Sequence, residues 1–158
     1  MGSSDNLVGM NHAFTAEFNI SLDPEAAYLV LNSFAEVVVV SFDTTICNIN
    51  PKDTLHLLSD EKTKKSKFIS DIYGEIKKKH DPSVCDPLAF FPLFRPDCVQ
   101  SGVKIEMIIE LKGKRTRGAT KVNWFNEDPK KKNCYLVKKM DLNTIIEEIT
   151  ASYQDKAE

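Results

Sequence analysis

The chain lacks what several large functional classes require. Its four cysteines (Cys47, Cys85, Cys98 and Cys134) are widely spaced and form no C-x-x-C pair, so the usual structural zinc site has no signature here. No apolar run reaches the roughly 20 residues of a membrane-spanning helix. Met1–Asn6 carries neither a basic region nor an apolar stretch of the secretory kind, and the expectation is a reduced, cytoplasmic protein with no membrane partner. A net charge of −2 makes no global case for nucleic acid. The lysine clusters at 62–67, 77–79 and 130–132 lack the interleaved aromatics of a base-stacking surface. Glycine-rich phosphate loops, a G-x-S-x-G elbow and H-E-x-x-H are all missing, which removes the commonest signposts of nucleotide binding, serine hydrolysis and zinc proteolysis.

What is present is ordinary in bulk and particular in detail. With 158 residues, 42% hydrophobic and 28% charged, the chain reads as one domain or part of a larger one, long enough to bury a core. Asp23-Pro24 opens a helix over 23–34, because aspartate caps well and proline is tolerated at the first helical position. Glu36–Phe42 is a short β-branched apolar run of the kind buried on both faces in parallel sheets. A short helix is expected from Pro51 to about Ser59 and a longer one from Lys62 to Lys79, with Phe68, Ile69, Ile72, Tyr73 and Ile76 as its apolar stripe. Residues 103–112 and 118–125 read as a β-hairpin about Lys112-Gly113-Lys114, with Gly118 at a positive-φ position. Asn133–Lys139 is a further strand, and Asp141–Tyr153 a closing helix capped by Asp141. The pattern is α/β. The buried run before residue 100 has no obvious sequential partner, which favours the second half of a larger sheet or assembly with another chain.

Few residues stand out for chemistry. In Ala16-Glu17-Phe18-Asn19, an extended backbone puts Glu17 and Asn19 on one face and Phe18 on the other, and a carboxylate beside an amide suits a polyhydroxylated ligand. Asp86 reads as the cap of a helix beginning at Pro87, or as one oxygen ligand for a hard cation such as Ca²⁺ or Mg²⁺. Cys85 beside it is a small buried hydrophobe, or a nucleophile or acid. His12, His56 and His80 read as loop or surface residues.

Taken in order, these pieces resemble the inosine-uridine-preferring nucleoside hydrolases. The resemblance rests on Asn11 with A-E-F-N (16–19), D-P-E-A-A (23–27), V-V-V-S-F-D-T-T (38–45), D-P-L-A (86–89), R-T-R-G-A-T-K-V-N-W (115–124) and M-D-L-N-T-I-I-E-E-I (140–149). It implies the C-terminal half of an open, mostly parallel-sheet α/β fold, with a β-hairpin and a closing helix, so that 1–158 is a partial domain. It implies cleavage of the N-glycosidic bond of ribonucleosides to ribose and free base, with Ca²⁺ as the family's metal. Carried over by motif, Asn11, Glu17, Phe18 and Asn19 contact ribose, Asp86 ligates Ca²⁺, and Cys85 stands where many members carry a catalytic histidine. The family's N-terminal D-x-D-x-x-x-D-D cluster, which supplies the general base and most metal carboxylates, does not occur in this chain. The expectation is a ribonucleoside hydrolase incomplete and inactive as this chain alone. The alternative is a short non-catalytic relative that binds ribose or nucleosides, or self-associates as a homo-oligomer.

Overall fold

A computed structural model of the chain describes residues 1–6, 15–34, 36–48, 63–77, 85–125 and 127–153. In chain order the elements are α1 (Phe18–Leu22), α2 (Pro24–Ser33), β1 (Val38–Val40), α3 (Phe42–Asn48), α4 (Lys64–Lys77), α5 (Cys85–Phe94), β2 (Val99–Ile109), β3 (Thr120–Asn123), β4 (Cys134–Met140) and α6 (Leu142–Tyr153). Short 3₁₀ turns at Pro96–Cys98 and Pro129–Lys131 lead into β2 and β4. The expected helix at Pro51–Ser59 falls outside the described residues.

The four strands form one sheet in the order β1-β4-β2-β3. The sheet is mixed rather than mostly parallel: β1 runs parallel to β4, but β2 is antiparallel to both β3 and β4. The reason is the connection. β2 and β3 are joined by one loop without a crossover helix, which forces an antiparallel pair, and β4 returns along the other side of β2. The β1 run finds its parallel partner in β4, late in the chain. β1 lies at the sheet's edge, so Val38 is 49% exposed where burial on both faces was expected.

Alternation along β4 divides the core into two layers. Cys134 and Leu136 face α2 and pack with Leu31, Ile105, Met107 and Ile109. Val137 faces the opposite way, toward Leu88 and Phe91 of α5 and Ile145 of α6. Helices on both faces of the sheet make this an α/β architecture.

Local chemistry accounts for the ends of several elements. The Asp23 carboxylate accepts from Ala26 N–H at 2.9 Å, capping α2, and Pro24 occupies its first position. Asp141 accepts from Asn143 N–H at 3.0 Å and caps α6. Asp86 departs from that pattern: the helix already begins at Cys85, so Asp86 lies in the first turn and favours it through the helix dipole. On α4 the anticipated apolar stripe is largely uncovered, with Phe68 63% and Ile72 41% exposed.

The loop from β2 to β3 is fixed onto α1 and α2. Arg117 forms a bidentate pair with Glu25 at 2.7 and 2.6 Å, which holds the Glu25 carboxyl below the usual glutamate value. Gly118 follows at φ +81°, where an added Cβ meets Ala16 Cβ at 3.2 Å and Ser21 Cα at 3.3 Å. Gly118→Ala therefore combines left-handed strain with crowding and is expected to cost about 1–2 kcal/mol, read as a lowered thermal midpoint.

Candidate functional site

The site is organised by six residues, Met1–Asn6, laid across the carboxyl ends of β1 and β4. Gly2 N–H donates to the Val40 carbonyl at 3.3 Å, and Phe42 N–H donates to the Ser3 carbonyl at 3.0 Å. Ser4 exchanges two bonds with the Thr120 hydroxyl, donating its N–H at 2.9 Å and accepting at its carbonyl at 2.7 Å. The Asp43 carboxylate accepts from the N–H groups of Asp5 and Asn6 at 2.6 and 3.2 Å. Crevices at the carboxyl ends of parallel strands are where open α/β sheets gather polar ligands.

Glu17 holds this segment from one side. It is the N-cap of α1 and only 2% exposed. Its Oε1 accepts from Asn19 N–H at 3.0 Å, and its Oε2 accepts from Ser3 and Ile20 N–H at 3.2 and 3.3 Å. A carboxylate offers about four acceptor positions, so among the described residues one is left on Oε1. The extended reading of this stretch is corrected here: Glu17 has extended backbone, but the chain turns helical at Phe18, so Glu17 and Asn19 do not alternate along a strand. The cause is the Glu17 carboxylate itself, which takes up the first free N–H groups of α1. Asn19 nonetheless returns to the same place by another route, its Nδ2 donating to the Met1 carbonyl at 3.4 Å. Phe18 is 45% exposed at the start of the helix. Asn11 and His12 lie outside the described residues.

Cys85 and Asp86 approach from the other side. The turn after β1 is rich in hydroxyls: Ser41 Oγ accepts from Thr44 N–H at 3.1 Å, Thr44 Oγ1 donates to the Val137 carbonyl at 2.6 Å, and Thr45 Oγ1 lies 3.1 Å from Cys85 Sγ. These bonds tie α3 to β4 and to the first residue of α5. Asp86 is exposed beside Cys85. Burial first, and the Asp86 charge second, push the Tyr73 phenol of α4 upward. The two groups, Glu17 to Asn19 and Cys85 to Asp86, thus flank the turn 41–45 and are linked through it.

Several residues of this region had no signal in the sequence reading. Asp5 is the clearest: its side chain is fully buried, it accepts from Ser41 Oγ at 2.5 Å, and it pairs with Lys138 of β4. The Lys138 ammonium also lies 5.4 Å from the Trp124 ring centroid. The turn after β1 was legible as part of the V-V-V-S-F-D-T-T motif (38–45). Ser3 has φ +76°, unusual for a residue with a side chain. The Ser3 and Ser4 hydroxyls are buried with no hydrogen-bond partner among the described residues.

A Ca²⁺ site is not assembled by these residues. Among the described residues no group of three or more His, Cys, Asp or Glu side chains is placed to hold a metal. Asp86 offers one carboxylate where Ca²⁺ takes six to eight oxygens. Asp43 already accepts from two backbone amides and Asp5 already pairs with Lys138. No helix among the described residues is long and apolar enough to cross a membrane.

Comparison with known proteins gives a consistent result. The family model described as "Inosine-uridine preferring nucleoside hydrolase" matches residues 1–147. A protein of that description from Crithidia fasciculata is 30% identical over 138 residues, 83% of this chain and 44% of that one. One from Leishmania major is 33% identical over 130 residues, 78% of this chain and 40% of that one. Among solved structures, an "Inosine-Guanosine Nucleoside Hydrolase (IG-NH)" superposes with a TM-score of 0.83 at 25% identity, covering 97% of this chain and 50% of the other. A purine-preferring ribonucleoside hydrolase from Gardnerella vaginalis gives 0.73 at 26% identity, covering 96% of this chain and 51% of its own. The chain thus spans about half or less of the length of these relatives.

Proposed function

This chain belongs to the inosine-uridine preferring nucleoside hydrolase family, and from that premise we propose that it carries the ribose-facing side of a ribonucleoside N-glycosidase site. The observation that supports this most is the convergence of Glu17 and Asn19 on Met1–Ser3, at the carboxyl end of a parallel strand. The free acceptor position on Glu17 Oε1 and the Asn19 amide are matched to sugar hydroxyls, and the exposed ring of Phe18 to the sugar's apolar face. Cys85 is the leaving-group-side residue of this reading, oriented by Thr45. A thiol protonates a departing base less readily than an imidazolium does. Asp86 is the one carboxylate the chain offers to Ca²⁺.

Hydrolysis of an N-glycosidic bond passes through a cation-like sugar, and it needs a base to take the proton of the attacking water. No residue of the described site has that role. In this reading the carboxylates for the water and for most of the metal shell lie outside the described residues, and the chain by itself does not turn over. Ribose release from inosine or uridine, with and without added Ca²⁺, is the test. Background rates are expected for the chain alone. Robust turnover that disappears in Asp86→Ala overturns the incompleteness.

A second reading is favoured by Cys85 at the position where many members carry histidine: a non-catalytic module that binds nucleosides. Calorimetry separates the two, since tight inosine binding by the isolated chain supports the module.

A further inference from the structure

Two successive residues of β4 grip the start of α3, one through its backbone and one through its side chain. The Val137 carbonyl accepts from Thr44 Oγ1 at 2.6 Å. Lys138 reaches the same turn at one remove. Its ammonium pairs with the Asp5 carboxylate, which accepts from Ser41 Oγ at 2.5 Å. Ser41 caps α3, its oxygen accepting from Thr44 N–H at 3.1 Å. A hydroxyl has one proton and two acceptor positions. Asp5 takes the Ser41 proton and so leaves the Ser41 lone pairs for the amides at the helix start.

The same turn of α3 holds Cys85. Thr45 Oγ1 donates to the Phe42 carbonyl at 2.8 Å. Across the 3.1 Å to Cys85 Sγ the Thr45 oxygen is therefore the acceptor and the thiol the donor. Where that proton points depends on how α3 begins. Lys138 is a firm anchor for it, since β4 is paired on both sides and the Trp124 ring lies 5.4 Å from the ammonium. Asp5 belongs to no helix or strand and owes its place to the groups that bond it. We propose that Lys138 is a positioning residue of the candidate site: through Asp5 and the Ser41 cap it fixes the first turn of α3, and with it the Thr45 oxygen that orients the Cys85 thiol. The inference rests on the reading above of Cys85 as the leaving-group-side residue.

The test is the rate of Cys85 alkylation by iodoacetamide at neutral pH, in the 158-residue chain carrying Cys47→Ser. That substitution removes the exposed thiol, and Cys98 and Cys134 are buried. Urea unfolding of each variant is measured alongside. Lys138→Met is expected to speed alkylation about fivefold or more, the size of effect typical along a coupled network, and Lys138→Arg to keep the parent rate. The deciding variant is Asp5→Asn with Lys138→Met, in which the stranded charge is gone but residue 5 has lost its tie to β4. A positioning role keeps its alkylation rate raised while stability returns; a purely structural role lets the rate fall back with stability. The parent rate in that double variant, or a rate raised equally by Lys138→Arg, overturns the inference. Should the double variant fail to fold, Lys138→Gln and Lys138→Arg are compared below their unfolding midpoints, and equal rates overturn it. No nucleoside is present in the measurement, so failure to bind inosine bears on the site reading alone and an unmoved thiol on Lys138 alone.

Discussion

Glu17→Ala is expected to lower the unfolding free energy by about 3 kcal/mol, since hydrogen bonds to a charged group contribute about 1.5–3 kcal/mol each and do not add fully. Three backbone N–H groups lose their acceptor at once: those of Ser3, Asn19 and Ile20. Two of them belong to the first turn of α1, where no carbonyl is available to replace the carboxylate. The third anchors Met1–Ser3 against β1, so the damage extends beyond one helix cap. Urea denaturation is the measurement, with the midpoint falling at constant slope. Glu17→Gln keeps the shape and one acceptor oxygen and is expected to cost about half as much. A loss below about 1 kcal/mol in Glu17→Ala would mean that the segment is held by its other bonds, the Ser4–Thr120 pair foremost.

Lys138→Met has an effect of similar size by a different route. The Asp5 side chain is fully buried and Lys138 about a third exposed. Removing the ammonium leaves a carboxylate with the Ser41 hydroxyl as its remaining side-chain donor, and breaking a buried pair in this way costs about 3–5 kcal/mol. Partial exposure of Lys138 places the expectation at the low end, about 3 kcal/mol. Asp5→Asn in the Lys138→Met background removes the stranded charge and is expected to restore most of the loss. A double-mutant cycle with a coupling near zero would show that the pair adds nothing. The variant also frees Trp124 from its ammonium, giving an indole fluorescence change that reports on the same contact.

The sequence foretold the elements whose signals are local. Asp23-Pro24 and Asp141 lie at the helix starts they announced, because a cap acts on amides two or three residues away. The β2–β3 hairpin and the positive φ of Gly118 were legible for the same reason. Direction of pairing was not. Whether β2 runs with or against β4 depends on the loop between β2 and β3 and on where β4 returns, and no residue of either strand encodes it. Glu17 misled because the extended alternation of Glu17 and Asn19 was read without the competing preference of a carboxylate for the free amides of a helix start. Asp86 misled in the opposite way, looking like a cap while the helix had begun one residue earlier. Lys138 and Asp5 could not be matched from sequence at all. Each is an ordinary surface residue type, and only the folded sheet brings them together. Motif order singled out Glu17, Asn19, Cys85 and Asp86 as candidates, and the hydrogen bonds through the turn 41–45 emerged only from the structure.

The bonds made by Met1–Asn6 span most of the chain. Ser4 meets a residue 116 positions later, and Asp5 one 133 positions later. During synthesis at about 5–20 residues per second, Asp5 waits on the order of ten seconds after leaving the ribosome before Lys138 exists. Until then Gly2 and Ser3 have only the Glu17 carboxylate and the edge of β1, itself unsupported until β4 is made. The segment that organises the site is therefore assembled last, although it is translated before all its partners. Contacts of such sequence separation slow folding, and the valine run of β1 stays uncovered throughout the wait.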